Sequence, residues 1–577
     1  MDSNGQPGRC RICSGELRLA RRGRGLQAVP AGFVPTCHRP GDHGDLFRCR
    51  ECGTVHQPSL PRGEALLRVY REMHDHDYLT EEEGRRRTAQ RLLDLLRPHV
   101  PHGRLLDVGA GHGLLLDEAR RRGYAAEGLE LSRAAARHCR DVLDLPVREL
   151  SLEDPTLVGE QFDAIVLADV LEHLDDPAGA LARCAELLAP GGALMVVTPD
   201  PASLTARLAG GRWWGYLPSH ACLVPRRTLR ELVSAQGLVL AEDVPLVRSF
   251  TPSYWLEGLA ERGGRLGAAL MRLAGRLPRR ALLSLSLGDE RVVIARQVAV
   301  QRPDEPRVRD RGMPTKVHVV LPAYNAARTV DRVADSLPVH AADRALLVDD
   351  SSRDDTAGAA LAAGLEVLVH PRNRGYGANQ KTCYARAALD GADIVVMVHA
   401  DNQYDPSLVA EMVGPIERGE ADVVIGSRLL EDDAISGGMP RWKWLGNRGL
   451  TWAENRAFRR SFSEYHTGYR AFAVSFLRAT PFLRNSDGFV FDQEMFAQIV
   501  AADAHVVELD IPTRYFLEAS SVSFWRSVEY GVRTLAVLAR FRLDERRRRW
   551  PLLRRPATEL RPSTSREEPL ADSVRAG

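Results

Sequence analysis

The sequence predicts an α/β protein built from two separate doubly wound domains, with a small zinc ribbon at the N-terminus. Two runs of alternating strand and helix patterns, each with its own ligand-binding motif, predict the two domains. The stretch 301–314, which is charged and carries three prolines, separates these runs, and two Cys-x-x-Cys pairs precede them. We therefore predict a zinc ribbon over 1–60, a first domain over 61–298, a linker over 299–314, a second domain over 315–540 and a basic, disordered tail over 541–577.

The composition is typical of a globular protein with more than one domain. The chain has 577 residues, 44% hydrophobic and 27% charged, and a formal net charge of +2. Since positive charge is not in excess, we expect no nucleic-acid partner. No early apolar run resembles an export signal, and no segment reaches the roughly 20 uninterrupted apolar residues of a membrane span. These features predict a cytoplasmic protein.

Two cysteine pairs near the N-terminus have the spacing of zinc ligands: Cys10 with Cys13, and Cys49 with Cys52. Each pair can point two thiolates at one ion, so that the two pairs complete a tetrahedral site. Four protein ligands leave no open position for water, which predicts a structural zinc. The intervening stretch holds three further residues that could replace one ligand, namely Cys37, His38 and His43. The alternative is a set of reduced thiols in a disordered leader.

A glycine-rich turn follows the first strand pattern of the first domain. Residues 104–108 are apolar and run into Gly109, Gly111 and Gly113, where the backbone can come close to a ligand. The next strand pattern ends at Glu130, whose carboxylate can accept hydrogen bonds from both hydroxyls of a ribose. A dinucleotide-dependent oxidoreductase would share both features.

Later segments make the pattern more specific. Residues 161–177 combine a buried strand pattern with Asp169, Leu171-Glu-His173 and Pro177, and residues 190–199 form a turn and another strand pattern. From about 85 to 298, this series resembles the class I S-adenosylmethionine-dependent methyltransferases, which have a Rossmann-like fold. The oxidoreductase interpretation leaves Leu171-Glu-His173 unexplained.

The resemblance implies a role for each matching residue. Those implied for cofactor binding are Asp107, Gly109, Gly111, Gly113, Glu130 and Asp169, with Glu153 or Asp154 near the adenine. His173 and His220 would face the acceptor and remove its proton, since histidine titrates near neutral pH; the alternative for each is a structural histidine. Trp213 and Trp214 would line the acceptor pocket or belong to the core. Such methyltransferases also carry zinc knuckles and an aromatic-bearing helix, which the segment Tyr70 to Tyr78 resembles.

Polar residues follow three strand patterns of the second domain. The first pattern ends at Pro322, Tyr324 and Asn325, the second at Asp349 and Asp350, and the third in the loop 399–406. Open α/β sheets bind ligands at the carboxyl ends of their strands, and oxygen donors suit Mg²⁺ or Mn²⁺. In this order, the segments from about 315 to 537 resemble family 2 glycosyltransferases of the GT-A fold, in particular the dolichyl-phosphate-mannose-synthase-like branch.

This second resemblance implies a nucleotide-sugar donor. The residues it implies for the donor are Pro322, Tyr324, Asn325, Asp349, Asp350, Asn373, Arg428 and Arg470. Asp492 or Glu494 would be the base that deprotonates the acceptor. A lipid phosphate is already ionised and needs no base; Arg428, Arg470 and Arg514 would then hold phosphates, whereas the alternative for each is a surface ion pair.

The metal loop departs from the family pattern. Where Asp-x-Asp is usual, this chain has His399-Ala-Asp401-Asn-Gln403. A neutral ligand in place of a carboxylate weakens Mg²⁺ binding and favours Mn²⁺. We expect Mg²⁺ or Mn²⁺ at His399, Asp401 and Gln403, with an inactive, metal-poor domain as the alternative.

An amphipathic helix pattern over 524–541 and a basic run over 542–555 lie near the end of the chain. Such a helix can lie on an anionic membrane, which would place the protein at the inner face of the membrane as a peripheral protein. The alternative is an ordinary packed helix followed by a solvated tail.

Taken together, these features predict a bifunctional transferase that builds and methylates an envelope glycan or glycolipid. Its partners would be a nucleotide-sugar donor and a sugar, polyprenyl-phosphate or glycan acceptor, with S-adenosylmethionine, structural zinc and Mg²⁺ or Mn²⁺ as cofactors. Two alternatives stay open: tailoring of a glycosylated secondary metabolite, or one half that serves as a non-catalytic binding module.

Overall fold

The computed structural model describes residues 8–23, 43–75, 77–260, 281–430, 441–512, 524–544, 550–558 and 560. The chain divides into two compact units, Met1–Val298 and Ala299–Gly577. Among the described residues, no helix has the length and apolar character needed to cross a bilayer. Several predicted features lie outside the described residues: Cys37, His38, Arg514 and most of 541–577.

The first unit begins with a small antiparallel sheet, ordered β1-β2-β3-β9. Its strands are β1 (Leu17–Arg21), β2 (Leu46–Cys49), β3 (Val55–His56) and β9 (Cys222–Leu223). Val55 pairs with Leu223, so a strand from far along the chain completes the cysteine-bearing module. Leu46, Val55 and Leu223 pack with the buried Trp213 in one small core. Trp213 was predicted either to line a pocket or to belong to the core, and the structure places it in the core.

A seven-stranded sheet forms the centre of the first unit, in the order β10-β13-β8-β7-β4-β5-β6. Its strands are β4 (Arg104–Val108), β5 (Ala125–Leu129), β6 (Val147–Arg148), β7 (Phe162–Ala168), β8 (Leu188–Pro199), β10 (Val239–Pro245) and β13 (Glu290–Arg296), and a separate ribbon pairs β11 (Arg248–Phe250) with β12 (Leu283–Leu285). Strands β4 to β8 are parallel, and β13 and β10 run antiparallel. The strand order reverses between β4 and β7, where doubly wound sheets bind ligands.

Eight described helices belong to this unit: α1 (Glu64–Arg71), α2 (Glu82–Leu96), α3 (Leu114–Arg121), α4 (Arg133–Leu143), α5 (Pro177–Leu187), α6 (Leu204–Ala209), α7 (Arg226–Ala235) and α8 (Pro252–Ala260). The central strands are apolar on both faces; Ile165, Val166 and Leu167 in succession are fully buried. Continuous apolar strands of this kind are expected where helices cover both sides of a parallel sheet.

The second unit has its own seven-stranded sheet, ordered β16-β15-β14-β17-β19-β18-β20. Its strands are β14 (Val317–Ala323), β15 (Arg344–Asp349), β16 (Glu366–Val369), β17 (Ile394–Met397), β18 (Val423–Ser427), β19 (Arg470–Ala473) and β20 (Val506–Asp510). Strands β14 to β17 are parallel, while β19 is antiparallel to both of its neighbours. The reversal between β14 and β17 lies where the predicted donor and metal loops begin.

The described helices of this unit are α9 (Val330–Ser336), α10 (Thr356–Ala362), α11 (Tyr376–Leu389), α12 (Val409–Glu417), α13 (Arg441–Phe458), α14 (Val474–Ala479), α15 (Phe491–Ala501) and α16 (Phe524–Asp544). Two doubly wound α/β units with a small cysteine-bearing module are the predicted fold class, which is confirmed.

The segment predicted as a linker packs against the second unit. Gln301 pairs with Val367 of β16, the backbone N–H of Arg307 donates to Gly364 at 2.7 Å, and Val308 is buried in the core of this unit. The apolar character of one residue, Val308, was too small a signal to reveal this contact from the sequence.

Candidate functional sites

The first unit contains a cavity of about 650 Å³ at the carboxyl ends of β4, β5 and β7. Gly109, Gly111, Glu130 and Asp169, all predicted to bind the cofactor, line this cavity. Two other predicted residues do not line the cavity but lie close to lining residues in the chain: Asp107 is buried near the end of β4, and Gly113 immediately precedes α3. Glu153 also lines the cavity, whereas Asp154 bonds to Thr156 on the surface.

The glycine turn needs glycine at three positions, because φ is +70° at Gly109, +55° at Gly111 and +79° at Gly113. A Cβ at Gly109 would also lie within 2.6 Å of the Val170 side chain. The Gly111 N–H donates to one carboxylate oxygen of Glu130 at 2.7 Å, so the turn and the predicted ribose ligand hold each other in place.

Arg248 ties Asp169 to the far wall of the cavity. Its Nη2 donates to both carboxylate oxygens of Asp169, at 2.7 and 2.8 Å, and its Nε donates to Glu290. Burial would raise the pKa of Asp169, but the charges of Arg248 and Arg85 lower it, so this carboxylate is ionised. Arg248 was not predicted from the sequence, because it lies 79 residues away from Asp169 and in no motif.

Aromatic side chains form part of the cavity wall. Tyr78 stacks on His112 with ring centres 4.7 Å apart, and the Arg85 guanidinium lies 4.1 Å above the Tyr78 ring. Trp214 lines the cavity and donates to Asp289 at 2.7 Å. A Cβ added at Gly111 would be in ordinary van der Waals contact with the Tyr78 hydroxyl, at 3.7 Å, and both residues line the cavity.

His173 and His220, the two predicted bases, lie next to each other in the cavity wall. Their ring centres are 4.8 Å apart and nearly perpendicular. The Nδ1 of His173 is 3.2 Å from the carbonyl of Ser219, and that of His220 is 2.8 Å from the carbonyl of Gly215. Because a carbonyl only accepts, the contact of His220 places its proton on Nδ1 and leaves its lone pair on Nε2. The Nδ1 of His173 also lies 3.0 Å from the hydroxyl of Tyr70, which can donate or accept.

Both histidines are neutral at physiological pH. Burial lowers the pKa of His173 to about 4, and burial next to His173 lowers the pKa of His220 to about 3. Burial, with the charge of Asp169 nearby, raises the pKa of Glu172 well above its usual range, and Thr198 donates to this carboxyl at 2.9 Å. Donor atoms of Glu172, His173 and His220 all lie within 4.8 Å of one another.

The four predicted zinc ligands converge. Cys10 and Cys52 have their Sγ atoms 3.5 Å apart, those of Cys13 and Cys49 are 3.4 Å apart, and all four lie within 4.8 Å of one another. This spacing fits four thiolates around one ion.

Gln57 connects the cysteine module to the histidine pair. Its Nε2 lies 3.2 Å from each of three carbonyls in the loop that ends at His220, those of Leu217, Pro218 and His220. The Ala221 N–H in turn donates to the carbonyl of Glu172 at 2.9 Å. The module therefore holds the loop that carries His220, one of the predicted bases. The sequence did not reveal this contact, because Gln57 lies more than 150 residues before the loop.

In the second unit, the acidic pair after β15 organises two loops. His370 Nδ1 and the backbone N–H of Arg374 both contact one oxygen of Asp350, at 2.7 and 2.9 Å, and the N–H of Gly375 donates to the other at 2.8 Å. Asn373 donates to the carbonyl of Asp350. Asp349 accepts from Ser352, so both acids shape the predicted donor loop.

The predicted first nucleotide loop, which includes Pro322, meets the acidic loop. Asn325 has φ of +54°, and its side-chain oxygen accepts from the N–H of Arg353 at 2.9 Å. The ring of Tyr324 is exposed. An exposed ring beside a fixed acidic loop is a suitable surface for a nucleobase.

Asp492 lies at the centre of a hydrogen-bonded network. It accepts from Arg470 at 2.8 Å, and from Tyr376 Oη and Gln380 Nε2 at 3.1 Å each. Tyr376 Oη is also 3.3 Å from His399 Nε2, so one hydroxyl connects the predicted base to the predicted metal loop. Asp401 accepts from the N–H of Gln403 through one oxygen, at 3.1 Å.

Three residues predicted to bind the donor or to act as the base have surroundings that differ from those expected for these roles. Arg470 is fully buried, with its guanidinium 4.9 Å from the centre of the Phe496 ring, rather than open to a phosphate. Arg428 is paired with the buried Glu464, its Nε at 3.1 Å from the carboxylate. Glu494 accepts from the N–H of Ser486 and so holds a loop. Binding and catalytic roles for these three stay predictions.

Comparison with known proteins identifies two domains in this chain. A family model described as methyltransferase domain matches residues 81–242, and one described as glycosyl transferase family 2 matches residues 318–480. The ubiquinone biosynthesis O-methyltransferase of Cereibacter sphaeroides is 31% identical over 32% of this chain and 78% of its own length. The UDP-N-acetylglucosamine–dolichyl-phosphate N-acetylglucosaminyltransferase of Methanococcus voltae is 28% identical over 28% of this chain and 71% of its own length.

Among solved structures, the glucosyl-3-phosphoglycerate synthase of Mycobacterium tuberculosis in complex with UDP is similar to this chain. The identity is 21%, with 40% of this chain and 80% of that chain covered and a TM-score of 0.33.

Proposed function

Because the chain belongs to the methyltransferases through its first unit and to the family 2 glycosyltransferases through its second, we propose that it O-methylates and glycosylates one acceptor. The observation that carries the methyl-transfer half is the adjacent neutral pair His173 and His220, in which His220 donates from Nδ1 to a carbonyl and keeps a lone pair on Nε2. Such a pair can take the proton of a hydroxyl, which an acceptor of O-methylation must lose.

S-adenosylmethionine supplies a methyl group already activated on a sulfonium. The described residues fit this cofactor: Glu130 would accept from the ribose hydroxyls, the part of the cavity lined by Gly109 and Gly111 would take the methionine end, and the ionised Asp169 would lie near the sulfonium. The protein then has two tasks, to align the acceptor with the methyl group and to remove its proton.

We assign Cys10, Cys13, Cys49 and Cys52 to structural zinc. The convergence of the four sulfurs supports this, and the Gln57 contacts explain why a module remote in sequence belongs to the methyl-transfer site.

For sugar transfer, we propose a nucleotide-sugar donor at the Asp349 and Asp350 loop and Mg²⁺ or Mn²⁺ at the His399, Asp401 and Gln403 loop. Asp492 would act as the base for a hydroxyl acceptor, held in position by the hydrogen bond that Arg470 donates to it at 2.8 Å. The acceptor would be a sugar, a glycan or a polyprenyl phosphate of an envelope glycan or glycolipid. A tether between the two activities raises the effective concentration of the shared intermediate.

A donor screen tests this function. The full chain would be incubated with Mn²⁺ and a panel of nucleotide sugars, with the nucleoside diphosphate released by hydrolysis as the readout, and Asp350→Asn as the inactive control. The product formed with the best donor would then be offered with methyl-labelled S-adenosylmethionine. We expect label on the glycosylated product; unrelated acceptors for the two halves would contradict a shared substrate.

A further inference from the structure

Two neighbouring helices of the second unit leave apolar side chains exposed. On α13, Leu445 and Trp452 are 68% and 72% exposed. On α16, Val532, Leu535 and Leu543 are 63%, 50% and 82% exposed. We refer to these five side chains as the α13–α16 surface.

The exposed residues of α16 follow a helical period. Val532, Leu535 and Leu543, with the exposed Ala536 and Ala539 between them, recur every three or four positions and so lie along one side of the helix. The opposite side of the helix is buried within the unit, where Phe541 packs against Phe458 of α13 with ring centres 4.9 Å apart. The apolar stripe is thus a second, outward-facing side of a packed helix.

Exposed positive charge lies along both helices. The exposed arginines are Arg448, Arg456, Arg533, Arg540 and Arg542. The two helices contain three acidic residues; Glu454 and Asp544 are buried, and Glu529 is exposed but paired with Arg533 at 2.7 Å. A second copy of the chain would bring like charges together, whereas an anionic surface would be attracted.

We propose that the α13–α16 surface docks the enzyme on an anionic lipid bilayer. The apolar stripe and Trp452 would enter the boundary between headgroups and acyl chains, and the arginines would contact lipid phosphates. This is attachment to one leaflet, in keeping with the absence of a membrane-spanning helix among the described residues.

The same helix reaches the acceptor side of the sugar-transfer site. Tyr530 Oη of α16 accepts from Gln493 Nε2 at 2.9 Å and lies 3.1 Å from His466 Nδ1, and Gln493 follows the proposed base Asp492. Docking would therefore bring Asp492 close to a lipid-linked acceptor, a consequence that rests on the proposed sugar transfer.

Vesicle co-sedimentation of the full chain tests the proposal. Vesicles of phosphatidylcholine alone would be compared with vesicles that also contain phosphatidylglycerol, at low and high salt. We expect binding to the anionic vesicles, weakened by salt, and roughly tenfold weaker binding for the double variant Trp452→Glu, Leu535→Glu. The matched control, Val142→Glu with Leu208→Glu, changes exposed apolar side chains of the first unit and should bind like the wild type.

Absence of binding to anionic vesicles, or equal binding by the two double variants, would overturn the proposal. A dimer in solution that the Trp452→Glu, Leu535→Glu variant abolishes would instead assign the surface to a second copy. Nucleotide-sugar hydrolysis without vesicles reports on the sugar-transfer site alone, so its loss would be distinguishable from a failure to dock.

Discussion

The proposed bases of the two sites have hydrogen-bond partners of different charge. In the first unit, the half-buried His173 and the buried His220 are neutral. Their Nδ1 partners are uncharged: backbone carbonyls and, for His173, also the Tyr70 hydroxyl. In the second, Asp492 is held by the cation Arg470 and two neutral donors. The difference follows the chemistry: methyl transfer starts from a cationic donor beside a neutral base, whereas sugar transfer must accommodate a diphosphate.

Among these predictions, we expect the largest effect for the loss of either histidine, which should lower the rate of methyl transfer. His173→Asn or His220→Asn should lower the rate of methyl transfer by about 10²–10⁴-fold, because each variant removes one member of the proposed base pair, while S-adenosylmethionine affinity is retained. Single-turnover methylation and calorimetry would separate the two quantities. His102→Asn, at an exposed loop, is the control; unchanged rates in both site variants would refute the assignment.

Removing Arg470, the cation beside Asp492, should lower the stability of the second unit. Arg470→Met leaves Asp492 without its ion pair and is expected to lower the free energy of unfolding by about 3–5 kcal/mol. Adding Asp492→Asn should recover part of this loss. Arg418→Met, which breaks an exposed pair with Glu420, should leave the free energy of unfolding nearly unchanged. Urea unfolding of the four proteins checks the comparison, and equal effects of Arg470→Met and Arg418→Met would contradict it.

The neutral state of His220 predicts a pH dependence. Its folded pKa, about 3, lies below its ordinary value of 6.5, so the unfolded chain binds more protons between these values. Acidification from pH 7 to pH 5 should therefore destabilise the wild type by about 2 kcal/mol more than His220→Asn. Unfolding of the two proteins at both pH values measures this difference; parallel pH profiles would show that His220 is not buried and neutral.

The smallest expected effect concerns the connection between the cysteine module and the histidines. Gln57→Leu removes contacts to three carbonyls of the loop that ends at His220 and should lower methyl transfer by about tenfold, with sugar-nucleotide hydrolysis unchanged. Removal of zinc by a chelator should act in the same direction. Chelation that leaves both methyl transfer and the melting temperature of the first unit unchanged would argue against a structural ion.

Local motifs made much of this molecule predictable. The glycine turn, Glu130 and Asp169 end successive parallel strands, and strand ends of one sheet meet at one edge, so their convergence followed from the strand pattern. Arg248 and Gln57 could not be predicted, because Arg248 contacts Asp169 from 79 positions away and Gln57 contacts the carbonyl of Leu217 from 160 positions away. The neutral state of the histidines was equally hidden, since it depends on burial and not on residue type.

Calorimetry of the full chain with two variants tests the central claim that the protein has two independent donor pockets. S-adenosylmethionine would be titrated in one series, and UDP, GDP and dTDP with Mn²⁺ in another. The wild type should bind S-adenosylmethionine and at least one nucleotide; Glu130→Ala should lose only the former, and Asp350→Asn only the latter. Loss of both ligands in either variant, or a wild type that binds neither class, would contradict the account.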